Sequence, residues 1–161
     1  MDKLFQPKTI AFVGASNNLG KWGGIIFHNL LKGGFPGRVF PVNPREGEVQ
    51  GQPAYKSLTE LPEPVDLAIF TIPANSVPEA VREAVKQRVP AGIVISAGFG
   101  ELGGEGKALE SEMVRTARAG GMILVGPNGQ GISVPGSRLH PWMPTFKPKP
   151  GQIAIVSQSG N

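Results

Sequence analysis

The side chains that could perform covalent chemistry are few in this sequence. It contains no cysteine and only two histidines, His28 and His140, which lie far apart along the chain. A thiolate nucleophile, a disulfide and a thiolate metal site are therefore excluded, and we expect both histidines to have packing or surface roles. Glu101 is the only carboxylate in a candidate site loop, and a solvated charge at the start of a helix explains it as well as catalysis does. We predict no catalytic residue and no metal site.

The small residues after the first apolar segment favour anion binding instead. Gly14-Ala15-Ser16 begins a loop that ends at Gly20-Lys21 and leads into a helical pattern. Backbone N–H groups in such a turn can point at an anion, and the helix dipole adds to the attraction. Ser16 and Lys21 offer a hydroxyl donor and a positive charge. The loop therefore predicts a phosphate site formed by Gly14, Ala15, Ser16 and Lys21, although an ordinary tight turn would contain similar glycines.

Two common nucleotide sites are disfavoured. Ser16 stands where the dinucleotide fingerprint G-x-G-x-x-G has its second glycine, and the spacing before Lys21 does not fit a P-loop. The second predicted strand is followed by Asn43, Pro44 and Arg45, not by the carboxylate that binds ribose hydroxyls in NAD proteins. Arg45 could bind a phosphorylated ribose through two hydrogen bonds. NADP and CoA both carry such a phosphate, and a solvated surface charge is the alternative interpretation of Arg45.

Three later loops also consist of small or amide-bearing residues. Pro73 and Ala74 form an apolar surface suited to an adenine face, or Pro73 only ends its strand. Small residues in the next loop would let a ligand approach the backbone. The amide of Asn128 could hydrogen-bond the peptide-like pantetheine arm, although Pro-Asn-Gly favours a turn by itself. The candidate residues of these loops are Pro73, Ala74, Ser96, Ala97, Gly98, Phe99, Asn128 and Gly129.

The elements that must position these loops alternate between strands and helices. Apolar runs rich in Val, Ile and Phe predict strands at residues 9–13, 38–42, 66–72, 92–96 and 122–125. Helical periodicity predicts helices at 22–32, 75–88 and 105–119, the second with Asn75 or Ser76 as its cap and Pro78 in its first turn. This alternation predicts an α/β fold: a Rossmann-like parallel sheet with helices on both faces and a ligand site at the carboxyl ends of its strands.

A proline-rich segment follows the fifth predicted strand. Residues 147–151 read Lys-Pro-Lys-Pro-Gly, which is typical of a linker, and another apolar run at 152–156 leads into a Ser/Gly turn. We expect residues 1–146 to form one domain. Residues 147–161 would then be a linker and the first strand of a truncated second domain.

The composition fits a folded domain. The 161 residues are 40% hydrophobic and 17% charged, which allows a sizeable core. The net charge of +4 is scattered, and no run of lysine and arginine resembles a nucleic-acid-binding tail. No stretch approaches the ~20 apolar residues of a membrane span. We expect a cytoplasmic protein that binds neither nucleic acid nor a membrane.

Taken together, the loops resemble those of a known family. ADP-forming acetyl-CoA synthetases, and more distantly the α subunit of succinyl-CoA synthetase, share in this order the motifs Gly14-Ala15-Ser16, Pro41-Val42-Asn43-Pro44, Ile72-Pro73-Ala74, Ser96-Ala97-Gly98-Phe99-Gly100-Glu101, Gly126-Pro127-Asn128 and Ser157-Gln158-Ser159-Gly160. The resemblance implies a CoA-binding domain with a Rossmann-like fold. The first loop with Lys21 would hold the CoA phosphates, and Asn43, Pro44 and Arg45 would lie near the ADP moiety.

By the same resemblance, Pro73 and Ala74 would line the adenine. The pantetheine would follow Ser96, Ala97, Gly98 and Phe99 and then Asn128 and Gly129. Relatives often carry cysteine where Gly129 stands, so the contact there can only be made by backbone.

The resemblance also implies chemistry that lies outside this chain. In such synthetases an acyl phosphate forms, passes its phosphate to a histidine and releases acyl-CoA. That histidine lies further along a flavodoxin-like second domain, which Ser157-Gln158-Ser159-Gly160 would open, while ATP or ADP and Mg belong to an ATP-grasp domain elsewhere. The chain alone would bind CoA without turnover, and its partners would be the remaining synthetase domains or subunit, in a parent that could be oligomeric. The alternatives are a CoA-binding-like regulatory region of a protein lysine acetyltransferase and an NAD(P)-binding Rossmann module.

Overall fold

The computed structural model describes residues 1–157, in which five parallel strands form the central sheet. The strands in chain order are β1 (Thr9–Val13), β2 (Arg38–Val42), β3 (Glu48–Val49), β4 (Gln52–Pro53), β5 (Leu67–Phe70), β6 (Ala91–Val94) and β7 (Ile123–Val125). The sheet order is β2-β1-β5-β6-β7, while β3 and β4 form a separate antiparallel hairpin. The chain therefore moves outward in one direction from β1 to β2 and in the other from β5 to β7. This reversal makes the gap between the carboxyl ends of β1 and β5 the switch point, where ligands of such sheets bind.

The three predicted helices are present, and a short helix that the sequence did not predict, α1, precedes them. They are α1 (Asp2–Phe5), α2 (Trp22–Lys32), α3 (Val77–Lys86) and α4 (Gly104–Ala119). A short 3-10 turn, Ala74–Ser76, replaces the predicted first residues of α3, and Ser76 occupies the cap position without a side-chain capping bond. Pro78 lies in the first turn as predicted. Along residues 1–157, none of the helices combines the length and the apolar composition that crossing a bilayer requires.

Both faces of the sheet are covered, which confirms the predicted fold class. On one face, Val81 of α3 and Met113 of α4 pack in a core with Val13 and Phe70 of the strands. On the other, Phe27 of α2 packs in a second core, and its ring meets that of Phe12 edge to face at 5.2 Å. Strands buried on both faces read as continuous apolar runs, which is why the sequence shows little polar alternation.

The connection between β2 and β5 differs from that of a regular α/β repeat. The β3–β4 hairpin and a 3-10 turn at Leu58–Glu60 stand where a helix would be expected. Glycine and proline are dense in this stretch and disfavour a helix; they are Pro44, Gly47, Gly51, Pro53, Pro62 and Pro64. As a result the hairpin, not a helix, lies beside the loop that follows β1.

The proline-rich segment returns over the face that α2 covers. Isolated bridges join Gly131 to Trp142 and Val134 to Leu139, and the Leu139 side chain is fully buried. Asn29 of α2 donates a hydrogen bond of 2.9 Å to the carbonyl of Trp142. This segment is therefore part of the fold.

The run at 152–156 forms no strand among the described residues, and its role as the first strand of a second domain stays a prediction. Ile153 is 89% exposed and Val156 is 99% exposed. An alternating apolar run becomes a strand only beside a partner strand, and the part of the chain that the structure describes offers it none. Of the motif Ser157-Gln158-Ser159-Gly160, only Ser157 lies within the described residues. The boundary after residue 146 stays a prediction.

Candidate ligand site at the carboxyl edge

The predicted site loops meet at one edge of the sheet, because all five of its strands are parallel. The loop after β2 contacts the loop after β1 through the Asn43 side chain, whose Nδ2 donates a 2.8 Å hydrogen bond to the carbonyl of Ala15. The loop after β5 is bound to the end of β1, since the hydroxyl of Thr71 donates to the carbonyl of Val13 at 3.1 Å. The turns on both sides of the switch point are thus held together.

The loops after β6 and β7 are joined to their neighbours in the same way. The Ser96 hydroxyl donates a 2.5 Å hydrogen bond to the carbonyl of Ile72, which joins the loops after β6 and β5. The backbone N–H of Asn128 donates to the carbonyl of Ser96 at 2.9 Å, which joins the loops after β7 and β6. The five loops therefore form a continuous rim and are not splayed apart.

The loop after β1 can approach the neighbouring strand closely because it begins with glycine. Gly14 has a φ of +93°, and a Cβ there would lie 2.8 Å from both the Thr71 hydroxyl and a methyl of Ile72. Side chains are disfavoured at such a φ and at such a distance. The turn therefore keeps backbone close to the switch point.

Free backbone donors are the main feature of this loop. The N–H groups of Ser16 and Asn17 have no hydrogen-bond acceptor among residues 1–157. The Ser16 hydroxyl accepts from the N–H of Asn18 at 3.1 Å. Because α2 begins at Trp22, the positive end of its dipole faces the same region. These are the donors that a phosphate oxygen needs.

Two cations flank these donors. Lys21 and Arg45 are both exposed, and in the described part of the chain neither forms an ion pair. The backbone N–H of Arg45 donates to the Oδ1 of Asn43 at 2.8 Å, so that its turn is fixed while its guanidinium stays in solvent. Both charges are available to an anionic ligand.

Three polar residues of this region were missed by the sequence reasoning. Asn17 donates through Nδ2 to the Glu46 carboxylate and to the carbonyl of Glu48, and Asn43 donates to the other oxygen of Glu46 at 3.2 Å. Gln50, on the hairpin, bonds to the loop after β1. A carboxylate does therefore lie near the end of β2, contrary to the reading of residues 43–45 alone. The only signal for Glu46 was its position directly after Arg45.

Two of the predicted site residues have buried side chains and can contact a ligand only through their backbone, and their assignment stays a prediction. Phe99 is 0% exposed and belongs to the core under α3 and α4, while Ala15 is 0% exposed and belongs to the core under α2. Only their backbone atoms remain available. Asn43 is likewise occupied by its three hydrogen bonds and supports the loops.

The other predicted residues are accessible. Pro73, Ala97 and Asn128 are exposed, and Ala74, Ser96, Gly98 and Gly129 are partly exposed. The methyl of Ala74 lies against Gly98, where a Cβ would come within 3.0 Å of it. The loops after β5 and β6 therefore present small groups side by side.

The loop after β6 differs electrostatically from the loop after β1. Its Gly98 N–H donates a 2.5 Å hydrogen bond to the Glu101 carboxylate, and this bond lowers the pKa of Glu101 against a small opposing effect of desolvation. The N–H of Gly100 donates to Glu110 at 2.9 Å. Carboxylates thus already accept from two of the N–H groups of this loop, and their negative charge disfavours an anion beside them.

The histidines lie outside the rim. His140 is 4% exposed, has Nδ1 2.8 Å from the Ser133 hydroxyl and packs beside Gly33, which confirms a packing role. His28 is half-buried in α2 and contacts Gln50. Residues 1–157 contain no group of three or more His, Asp or Glu side chains that could hold a metal ion.

Two cavities formed by the described residues also lie elsewhere. One of about 370 Å³ is lined by residues such as Leu30, Phe35 and Tyr55, beside the outer edge of β2. The other, of about 260 Å³, is lined by residues such as Leu58 and Val89. Neither cavity is lined by a residue of the rim.

Known proteins share this sequence and fold. The chain is 41% identical over 167 residues to the α subunit of acetate–CoA ligase [ADP-forming] I of Pyrococcus furiosus, which covers 99% of this chain and 36% of that protein. It is 44% identical over 160 residues to acetate–CoA ligase [ADP-forming] I of Archaeoglobus fulgidus, covering 99% of this chain and 23% of the relative. A succinate–CoA ligase α subunit of Archaeoglobus fulgidus matches at 32% identity over 76% of this chain. The resemblance drawn from the loop motifs is thereby confirmed.

A solved structure gives the same result. The acetyl-coenzyme A synthetase 1 of Candidatus Korarchaeum cryptofilum, determined in complex with phosphate and ADP, superposes with a TM-score of 0.82 at 38% identity, over 88% of this chain and 30% of that one. The chain spans only a quarter to a third of the length of these relatives. Residues 8–135, most of the chain, match the family described as CoA binding domain. This protein therefore belongs to the CoA binding domain family.

Proposed function

We propose that the chain binds coenzyme A along its carboxyl rim, as the CoA-binding domain of an ADP-forming acyl-CoA synthetase. The observation that carries this proposal is the pair of free N–H groups at Ser16 and Asn17, beside the start of α2 and the exposed cations Lys21 and Arg45. A pyrophosphate supplies the acceptor oxygens and the negative charge that such a site lacks. Membership of the CoA binding domain family supports the same ligand.

The rest of the rim suits the rest of the ligand. Arg45 would bind the 3′-phosphate, because a guanidinium matches a phosphate in two hydrogen bonds. Pro73 and Ala74 offer a small apolar surface for adenine. The pantetheine would follow the small, partly exposed residues of the next two loops, and Ala15, Asn43 and Phe99 would contribute backbone or support. The accessible residues of that path are Ser96, Ala97, Gly98, Asn128 and Gly129.

The parent enzyme would interconvert acid, CoA and ATP with acyl-CoA, ADP and phosphate. The ADP-forming ligases among the relatives support this reaction. Within the site, Glu101 is held by a backbone hydrogen bond that favours its charged form, and we assign it no proton-transfer role. The chain's contribution would be to hold CoA and direct its thiol, while ATP, Mg and the phosphorylated histidine belong to the parent's other domains or subunit.

A second candidate ligand, a nicotinamide dinucleotide, is favoured by one observation. Glu46 lies beside Asn17 and Asn43 at the end of β2, where dinucleotide-binding domains place a carboxylate for the ribose hydroxyls. Both oxygens of Glu46 are already hydrogen-bonded, however, and Arg45 lies next to it. We therefore rank CoA first.

Calorimetric titration of the chain with CoA, NADH and NADPH tests this ranking. We expect CoA to bind at one site per chain, with neither dinucleotide competing. Ser16→Asp should abolish CoA binding by placing a negative charge at the donors, while Ser111→Asp on the exposed side of α4 should leave it intact. Binding of NADH but not CoA, or equal CoA affinity in the Ser16→Asp variant, would contradict the proposal.

A further inference from the structure

The β3–β4 hairpin contacts the loop after β1 through Gln50. This residue lies between the two strands with a φ of +49°, and its Nε2 donates hydrogen bonds of 2.9 Å to the carbonyls of both Ser16 and Gly24. Its backbone N–H donates to Oδ1 of Asn17 at 2.7 Å. Its Oε1 lies 3.2 Å from Nδ1 of His28. One side chain thus connects the loop to the first turn of α2.

These bonds fix the direction of the free donors. In a trans peptide, the C=O of one residue and the N–H of the next point in opposite directions. The carbonyl of Ser16 points to Gln50, so the N–H of Asn17 points away from the hairpin. The carbonyl of Ala15 points to Asn43, so the N–H of Ser16 also points away from its support.

We infer that Gln50 is a positioning residue for the anion site: its amide holds the Ser16 peptide so that the Asn17 N–H faces the ligand. This inference rests on the proposed function. Gln50 itself does not bind the ligand, because both of its amide hydrogens are already donated within the fold. Without that amide the Ser16 carbonyl turns to water for its hydrogen bond, and binding must then restore the orientation of the peptide.

The test compares two isosteric substitutions in the same hairpin. Gln50→Met keeps the size of the side chain and removes its donors, while Gln52→Met makes the same change at a glutamine whose side chain has no hydrogen bond among residues 1–157. We expect CoA and 3′-dephospho-CoA to bind Gln50→Met roughly tenfold more weakly. Both ligands should bind Gln52→Met as they bind the wild-type chain.

A purely structural role for Gln50 gives a different result. Loss of stability lowers affinity only through the unfolded fraction, which stays negligible while the chain is folded. Thermal unfolding is therefore measured for each variant, and the NMR order parameters of the Ser16 and Asn17 N–H groups are measured without ligand. We expect lower order parameters at these two groups in Gln50→Met, at a temperature where the variant is fully folded.

Gln50→Asn is the second variant, because asparagine tolerates a positive φ and keeps the hairpin turn. Its side chain is one methylene too short to reach both carbonyls, so we expect the same loss of affinity. Wild-type affinity in the Gln50 variants overturns the inference and leaves the proposed function standing. Absence of CoA binding by the wild-type chain overturns both.

Discussion

Hydrogen bonds from amide side chains hold the loops of the rim in place. Asn17, Asn43 and Gln50 each use both ends of the amide, donating to loop carbonyls or carboxylates and accepting from an N–H. An amide suits this task because it carries two donors and an acceptor without a charge that would attract or repel the ligand. The positive charges near the loop after β1 are those of Lys21 and Arg45, whose side chains face solvent.

Arg45 gives a prediction at this scale. Arg45→Glu should weaken CoA binding by about tenfold or more and 3′-dephospho-CoA binding much less, because the ion pair with the 3′-phosphate is replaced by repulsion. Arg115→Glu makes the same change of charge on the exposed side of α4 and should affect both ligands alike and slightly. Equal losses for the two ligands in Arg45→Glu, measured by calorimetry, would remove Arg45 from this role.

His140 gives a prediction about pH. Burial, and to a lesser extent the nearby charge of Lys147, lowers the pKa of the His140 imidazole below its ordinary value of 6.5. The unfolded chain then binds a proton that the folded chain rejects, so the free energy of unfolding is greatest above pH 6.5 and decreases as the pH falls below it. Urea titrations of the wild-type chain and His140→Gln between pH 7.5 and 5.5 measure this slope. A slope that is equally steep in His140→Gln would contradict the assignment.

At the scale of elements, the site depends on how closely α2 approaches the end of β1. A Cβ on Gly23 would clash with the backbone carbonyl of Gly14. Alanine favours a helix over glycine by ~1 kcal/mol, but overpacking against backbone costs up to ~3 kcal/mol. We expect Gly23→Ala to lower the free energy of unfolding by about 2 kcal/mol and to weaken CoA binding, because the start of α2 must move away.

Gly47→Ala is the matched control. Gly47 lies just before β3, its φ is not positive, and a Cβ there would have no atom within 4 Å. Denaturant unfolding should therefore show little change for this variant. A Gly23→Ala chain as stable as Gly47→Ala would show that α2 does not need the close approach.

Much of the fold could be predicted because apolar runs and helix-ending glycines are local features of the sequence. The bounds of α2 agree with the predicted 22–32, since Gly33-Gly34 stops the pattern, and the apolar runs marked the five strands of the sheet. The hairpin could not be predicted, because β3 and β4 have two residues each and pair through a turn at Gln50. The predicted strand at 152–156 stays a prediction, because strand formation depends on a partner strand that residues 1–157 do not supply.

The loops that form the site could be predicted as well, but the contacts between them could not. Parallel strands oblige their following loops to share an edge, so the set of loops could be found from sequence. The contacts of Gln50 with Ser16 and of Asn43 with Ala15 join residues 34 and 28 positions apart, and they depend on where the hairpin lies. Nor could the sequence show that Phe99 turns inward, because loop residues have no period from which a direction can be read.

At the scale of the whole molecule, the core under α2 includes a segment for which the sequence predicted neither a strand nor a helix. Leu139 and His140 are buried, and Ile132 and Val134 pack against the core under α2. Trp142 and Phe146 meet edge to face with ring centroids 4.8 Å apart. From residue 149 onward, every residue up to 157 is exposed. Residues 149–157 therefore belong to neither core, and the boundary after residue 146 stays a prediction.

Truncation tests this boundary. A chain of residues 1–146 keeps every buried residue of both cores, so we expect its free energy of unfolding to lie within about 0.5 kcal/mol of the 161-residue chain and its CoA affinity to be unchanged. A chain of residues 1–130 loses Leu139 and the groups around it, and should lose at least ~3 kcal/mol, since burying one leucine contributes ~1.5–3 kcal/mol. Denaturant unfolding of all three chains decides the question. The chain of residues 1–146 lacks the exposed hydrogen bond from Lys147 to the carbonyl of Lys32. If its free energy of unfolding fell by much more than the loss of that bond explains, residues 147–161 would belong to the first domain.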